Sequence, residues 1–215
     1  MNAVFNNPAL CKRIKGVVQL GASIGEEVPE WEKHKIPYQV LIEPLPMLFP
    51  LLENVANKQP HNPQVYCYNV AVSDFDGTAT FHISTGSYCS SSLLPFHREA
   101  TRYGQTLQES EAIEVEVRKL DTLLSRLDME NLNLLYMDVQ GAERKVMEGL
   151  NDYHLKYFDF IFVEVNKKML YEGVTLWHEF NQYMLDRGMK LADYRELEGS
   201  LGTQGEALYF NSSMR

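Results

Sequence analysis

VVQLGASIGEE, residues 17 to 27, is an apolar run that ends in two glycines spaced G-x-x-x-G and then turns acidic. Val17, Val18 and Leu20 suit a buried parallel strand, Gly21 permits a tight backbone turn, and Ile24 to Glu27 can open a helix. Strand, loop and helix N-terminus in that order bring backbone N–H groups to a bound nucleoside cofactor. Two glycines after an apolar run also describe an ordinary turn, so the reading depends on the strands and turns downstream.

Tyr38 to Ile42 reads as a second buried strand that stops at Glu43-Pro44. An acidic strand tip about 20 residues after a glycine loop can accept hydrogen bonds from both hydroxyls of a ribose. The alternative is a charge at the start of the helix that Pro44 and Pro46 open and that runs through LFPLLENVA. Gln64 to Val72 makes a third strand, SDFDG a turn, and Thr78 to Ile83 an alternating run. Asn69, Ala71 and Ser73 are candidates for an adenine wall beside the crevice of an open α/β sheet. Ser84 to Glu111 is the least regular stretch, polar and long enough to be a lid, a substrate loop or a surface excursion.

Further on, Ile113 to Val117 alternates as a half-exposed strand, and a short helix begins at Leu120 with Asp121 expected as its N-cap. In LNLLYMDVQGAERKVMEGL, Leu132 to Met137 is a buried strand, Asp138 ends it, Gly141 turns the chain, and Ala142 to Gly149 is a helix. Phe158 to Val165 repeats the pattern with Glu164 and Asn166 at its end, and Thr175 to Arg187 has amphipathic spacing. Met189 to Tyr194 and Glu206 to Phe210 are strands close enough together to add an antiparallel edge. Alternating strands and helices without a Pro/Gly/Ser-rich linker indicate an α/β class with a mainly parallel sheet, expected as one domain over 1–215 with its core at about 16–211.

Composition narrows the partners. A net charge of −9 disfavours general binding to nucleic acid or an anionic membrane surface, which relies on Lys and Arg. Three widely spaced cysteines, Cys11, Cys67 and Cys89, with no C-x-x-C, fit reduced thiols in a cytoplasmic protein. No window approaches a membrane span and no secretory h-region stands at the start. The expected partner is a small molecule, and a homodimer is left open.

The ordered set VVQLGASIGEE, VLIEPLPMLFPLLENV, YNVAVSDFDGTATF, SSSLL, VRKLDTLL, LLYMDVQGAERKVMEGL and DFIFVEVN resembles the FkbM family of S-adenosylmethionine-dependent methyltransferases over nearly the whole chain. The resemblance implies the class I methyltransferase fold, a Rossmann-like three-layer sandwich whose seven-stranded sheet has one antiparallel strand. It implies Gly21, Ala22, Ser23 and Gly25 under the methionine and ribose of the cofactor, with Glu43 and Pro44 at the ribose hydroxyls. Asn69, Val70 and Ala71 then lie near adenine, and Asp138 at the methyl-transfer end. It also implies methyl transfer to a hydroxyl on a small molecule, sugar or glycan, releasing S-adenosylhomocysteine.

Gln19 departs from the pattern, because an acidic residue usually stands there to hold the methionine end. Gln19 keeps an acceptor but loses the charge, and hydrogen bonds to charged groups are worth about 1.5–3 kcal/mol against about 1 for neutral ones. Since the sulfonium already activates the methyl, alignment and proton removal remain for the protein, with Asp138, His97 and Glu164 as candidates. No metal is expected, as Val139 and Gln140 follow Asp138 where a second acid would be needed. Two rivals stand: a non-catalytic binding or scaffold protein of this fold, and a dinucleotide-dependent oxidoreductase, which would show G-x-G-x-x-G where residues 21 to 26 do not.

Overall fold

The computed structural model describes residues 4–61, 63–102 and 105–212. In chain order come α1 (Pro8–Cys11), β1 (Gly16–Leu20), α2 (Val28–Lys33), β2 (Tyr38–Ile42), α3 (Phe49–Ala56) and β3 (Gln64–Tyr68). Next are β4 (Ala71–Ser73), β5 (Gly77–Ser84), a 3-10 turn at Tyr88–Ser90, β6 (Thr101–Arg102), β7 (Gln105–Thr106) and β8 (Glu109–Lys119). Then come α4 (Leu120–Leu124), β9 (Leu134–Met137), α5 (Glu143–Glu148), α6 (Asp152–Leu155), β10 (Phe160–Asn166), α7 (Trp177–Asp186), β11 (Met189–Glu196) and β12 (Gln204–Asn211).

Seven strands form one sheet in the order β11-β12-β10-β9-β1-β2-β3. All neighbours pair in parallel except β12, which is antiparallel to both β10 and β11. Strands buried on both faces are mostly apolar, which is why β9 reads as a continuous hydrophobic run and β1, β2 and β10 as hydrophobic runs interrupted by Gln19, Gln39, Glu164 and Asn166. Alternate residues serve the two faces. Val18, Leu20, Val40, Ile42, Leu135 and Met137 pack with Val146 and Met147 of α5 and Phe180 and Met184 of α7. Val17, Leu41, Leu134 and Tyr136 pack with Leu10, Trp31 and Leu52 of α1, α2 and α3. Each such side chain contributes about 1.5–3 kcal/mol when buried, and together they make a three-layer sandwich.

Three expectations change. The strand expected over 64–72 breaks after Tyr68, because Asn69 Nδ2 donates to the carbonyls of Glu43 and Pro44 and turns the chain over the tip of β2. Beyond the turn, β4 joins a separate sheet of order β4-β8-β5, in which the alternating residues 113–117 are the middle of the long β8. Asp121 is not an N-cap, since Lys119 holds that place. Its carboxylate instead accepts from Asn151 N and lies 2.8 Å from His154 Nδ1, tying α4 to α6. In the irregular stretch, of which residues 103 and 104 lie outside the described residues, the first half approaches the sheet. From Leu94 onward the stretch packs Leu94, Ala100 and Leu107 on Leu170, Tyr171 and Val174.

No helix among the described residues is long and apolar enough to cross a membrane. Cys11, Cys67 and Cys89 are free. Strand order reverses at β1, whose neighbours β2 and β9 lead away in opposite directions. In open α/β sheets the crevice outside the carboxyl ends of the strands at such a reversal is where ligands bind.

Candidate active site

A cavity of about 250 Å³ opens at that reversal, floored by Leu20 and Gly21 at the end of β1, Ile42 and Glu43 at the end of β2, and Asp138 after β9. Leu45, Leu48, Val70, Val72 and Phe81 give it an apolar side, and Tyr88, Cys89, Ser91 and Leu93 from the irregular stretch form a further wall. Among the described residues that line it, the charged side chains are all carboxylates: Glu26, Glu27, Glu43 and Asp138.

The glycine loop is held closed on itself. Gly21 N and Ala22 N both donate to the carbonyl of Ile42 at 3.0 and 2.9 Å, Gly25 N donates to Ala22 O at 2.8 Å, and Ser23 N donates to Glu43 Oε2 at 2.8 Å. These four amides, expected from the sequence to face a ligand, are therefore spent inside the protein. Gly21 is required for proximity: at φ +77° it packs so tightly that a Cβ would stand 1.9 Å from the carbonyl oxygen of Asp138. Glu43 joins the loop to the turn after β2, since its Oε1 accepts from Leu45 N at 2.8 Å. Burial pushes its carboxyl up to about 7, with Glu26 and Asp138 adding to the rise and the two backbone N–H bonds opposing it. Each carboxylate oxygen keeps a second lone pair for a ligand hydroxyl.

Gln19 does not line the cavity. It lies on the α2 face of β1, where its Oε1 accepts from Trp31 Nε1 and its Nε2 donates to Glu27 Oε2, both at 2.8 Å. Glu27 does line it, and burial pushes this carboxyl too up to about 7 against the Gln19 hydrogen bond.

The D-V-Q-G-A-E motif forms a sharp turn in which Gln140 has φ +53° and Gly141 φ +101°. A non-glycine residue in the left-handed region costs roughly 1–3 kcal/mol and persists where its surroundings over-determine it. Here Gln140 Nε2 donates to Asp138 and, at 2.8 Å, to Glu164 Oε1, while its Oε1 accepts from the Tyr171 hydroxyl at 2.8 Å. Ser92 Oγ donates to the carbonyl of Gln140 at 2.7 Å, fastening the irregular stretch to the same turn. Glu143 Oε1 accepts from Gly141 N, and burial raises this carboxyl to about 7.

Of the residues singled out in the sequence, Gly21, Ser23, Glu43, Pro44, Val70, Ala71 and Asp138 line the cavity. Ala22 and Gly25 are packed beneath the loop, Gly25 against Val28, Leu52 and Val55, and Asn69 acts through the tip of β2. Glu164 stands behind Gln140, where its Oε1 also accepts from Gln204 Nε2 at 2.5 Å, so it supports the turn rather than facing the cavity. His97 is carried away with the irregular stretch from Leu94 onward. Its backbone N–H bonds to Leu170 and its Nδ1 accepts from Glu99 N. Glu27, Gln140, Tyr88 and Ser92 were not singled out, although the acidic end of VVQLGASIGEE and the SSSLL run contain two of them. Among the described residues no group of three or more His, Cys, Asp or Glu side chains is arranged to hold a metal ion.

A family model described as the methyltransferase FkbM domain matches residues 19–191. The 2-O-methyltransferase NoeI of Sinorhizobium fredii is 35% identical over 112 residues, 49% of this chain and 45% of that protein. Methyltransferase 1 of Beauveria bassiana is 26% identical over 69% of this chain and 64% of its own length, so the chain spans about half to two thirds of these relatives. The crystal structure of methyltransferase FkbM from Methylobacillus flagellatus superposes with a TM-score of 0.58 at 16% identity, covering 91% of this chain and 43% of that one. The magnesium protoporphyrin IX methyltransferase of Synechocystis, solved with bound S-adenosylmethionine, gives 0.52 at 9% identity over 91% of this chain and 69% of that one. At these identities the two structures speak for the fold.

Proposed function

The chain belongs to the FkbM methyltransferase domain family, and from that membership we propose that it transfers a methyl group from S-adenosylmethionine to a hydroxyl of a small molecule, sugar or glycan. The observation that carries this reading is the charge of the cavity: an apolar side, and Glu26, Glu27, Glu43 and Asp138 as its charged lining. An adenine and a cationic sulfonium fit such a lining. A dinucleotide pyrophosphate does not, because it would face four carboxylates while the glycine-loop amides that could cradle it are bonded inside the protein. That one relative is named a 2-O-methyltransferase supports oxygen as the acceptor atom.

Bound S-adenosylmethionine supplies a methyl made electrophilic by its sulfonium. Glu43, fixed by Ser23 N and Leu45 N, would accept hydrogen bonds from the ribose hydroxyls, and Leu45, Val70 and Phe81 would offer the adenine an apolar surface. Asp138, aimed by Gln140, orients the acceptor hydroxyl and takes its proton, a contribution of roughly 100-fold or more for a placed base.

Thermal melts with S-adenosylmethionine, S-adenosylhomocysteine and NAD test the reading. A ligand at about 100 times its dissociation constant adds roughly 2.7 kcal/mol, or about 5–10 °C for a chain of this size. A rise with the first two and none with NAD is expected, and a rise with NAD alone overturns the proposal.

A further inference from the structure

Resting on the methyltransferase reading, we infer that Glu27 is the carboxylate that receives the ammonium at the amino-acid end of the cofactor, and that Gln19 positions it.

The orientation of Gln19 is set by its partners. An indole N–H can only donate, so Gln19 must turn its carbonyl Oε1 to Trp31 and its amide Nε2 to Glu27, where it can only donate in turn. Trp31 is held by the rings of Phe5 and Tyr136 and is almost fully buried, so the amide cannot reverse without leaving an indole N–H unpaired. Gln19 thus pins Glu27 Oε2. Beyond Gln19, the Glu27 carboxylate accepts among the described residues only from its own backbone N–H, and the side chain lines the cavity.

An acid at position 19 would stand as a second carboxylate where Glu27 now accepts a hydrogen bond. The described residues give Glu27 no cationic partner. Glu26 and Asp138 are the charged groups that act on it, and Glu43, like them, faces the same cavity as an acid. A half-buried carboxylate among other acids is costly to keep ionised, and a ligand ammonium supplies the counter-charge.

The test compares S-adenosylhomocysteine with 5′-methylthioadenosine, which keeps the nucleoside thioether and lacks the amino-acid end. Calorimetry is run on wild type and Glu27→Gln at pH 6 and pH 8. The glutamine carbonyl still accepts from Gln19, so the loop keeps its hydrogen bond. Loss of a charge-assisted bond predicts S-adenosylhomocysteine binding weakened by about 10- to 100-fold at pH 8, with 5′-methylthioadenosine unchanged within about twofold. In wild type the ratio of the two affinities should rise from pH 6 to pH 8 as Glu27 ionises and stay flat in Glu27→Gln; Glu43 acts on the ribose common to both ligands and cancels in the ratio. Gln19→Leu should lower the same ratio by a smaller factor. Equal loss of both ligands in Glu27→Gln, or no loss of either, overturns the inference and leaves the methyltransferase reading standing. Wild-type protein that binds neither ligand overturns both.

Discussion

Replacing Glu43 by Gln separates a buried charge from the hydrogen bonds that hold it. In the folded protein burial raises this carboxyl from 4.5 to about 7. A group that binds its proton more tightly in the folded state adds stability that is complete below pH 4.5 and is lost as pH rises through about 7. At 1.36 kcal/mol per pH unit, that loss is about 3 kcal/mol between pH 4.5 and pH 8. Ser23 N and Leu45 N bond to different oxygens of Glu43, and glutamine offers one acceptor and one donor group, so one of the two N–H groups loses its partner and Glu43→Gln should be weaker than wild type near pH 4.5 by about 1–3 kcal/mol. Between pH 4.5 and pH 8 the ligand-free wild type should lose about 3 kcal/mol that the variant keeps. Urea unfolding across pH 4.5 to 8, with the wild-type minus variant difference plotted against pH, isolates this group from Glu27 and Glu143, which move the same way. Parallel curves for the two proteins would refute the reasoning.

Gly21→Ala should cost roughly 3 kcal/mol or more, since it sets a Cβ against the Asp138 carbonyl at a φ of +77°, and a urea midpoint within experimental error of wild type would contradict the packing. Asp138→Asn should keep the fold and most affinity for S-adenosylhomocysteine while slowing methyl transfer by roughly 100-fold or more, measured by release of the thioether product once an acceptor is found. Near-normal turnover would remove Asp138 from the proton path. Methyl transfer should survive treatment with a chelator, and strict dependence on added magnesium or calcium would show a metal at work.

Local patterns made the central sheet legible. Tyr38 to Ile42 coincides with β2 because an apolar run between turn residues has few other uses, and Glu43 and Asp138 reach the cavity because a polar residue ending a buried strand has to stand at its tip. The small sheet was not legible, since β4 finds its partner in β8 across more than forty residues, Ala71 opposite Val117. Gln19 misled for a related reason. Read along the strand it looks like a weakened ligand, but its meaning lies in Trp31 and Glu27, side chains that the fold brings to it. Gln140 gave no local sign of its left-handed backbone, which depends on Glu164 and Tyr171 from other parts of the chain.

The carboxylate lining also bears on how a catalytic cycle ends. Under the proposed reaction the ligand enters with a positive sulfur and leaves with a neutral one, while Glu26, Glu27, Glu43 and Asp138 stay in place. Attraction that held the donor is withdrawn by the chemistry itself, at the moment when the spent nucleoside has to make way for a fresh one. The spent form should therefore bind more weakly than the donor, and the margin should narrow as pH falls and Glu27 and Glu43, with carboxyls raised to about 7, take up protons.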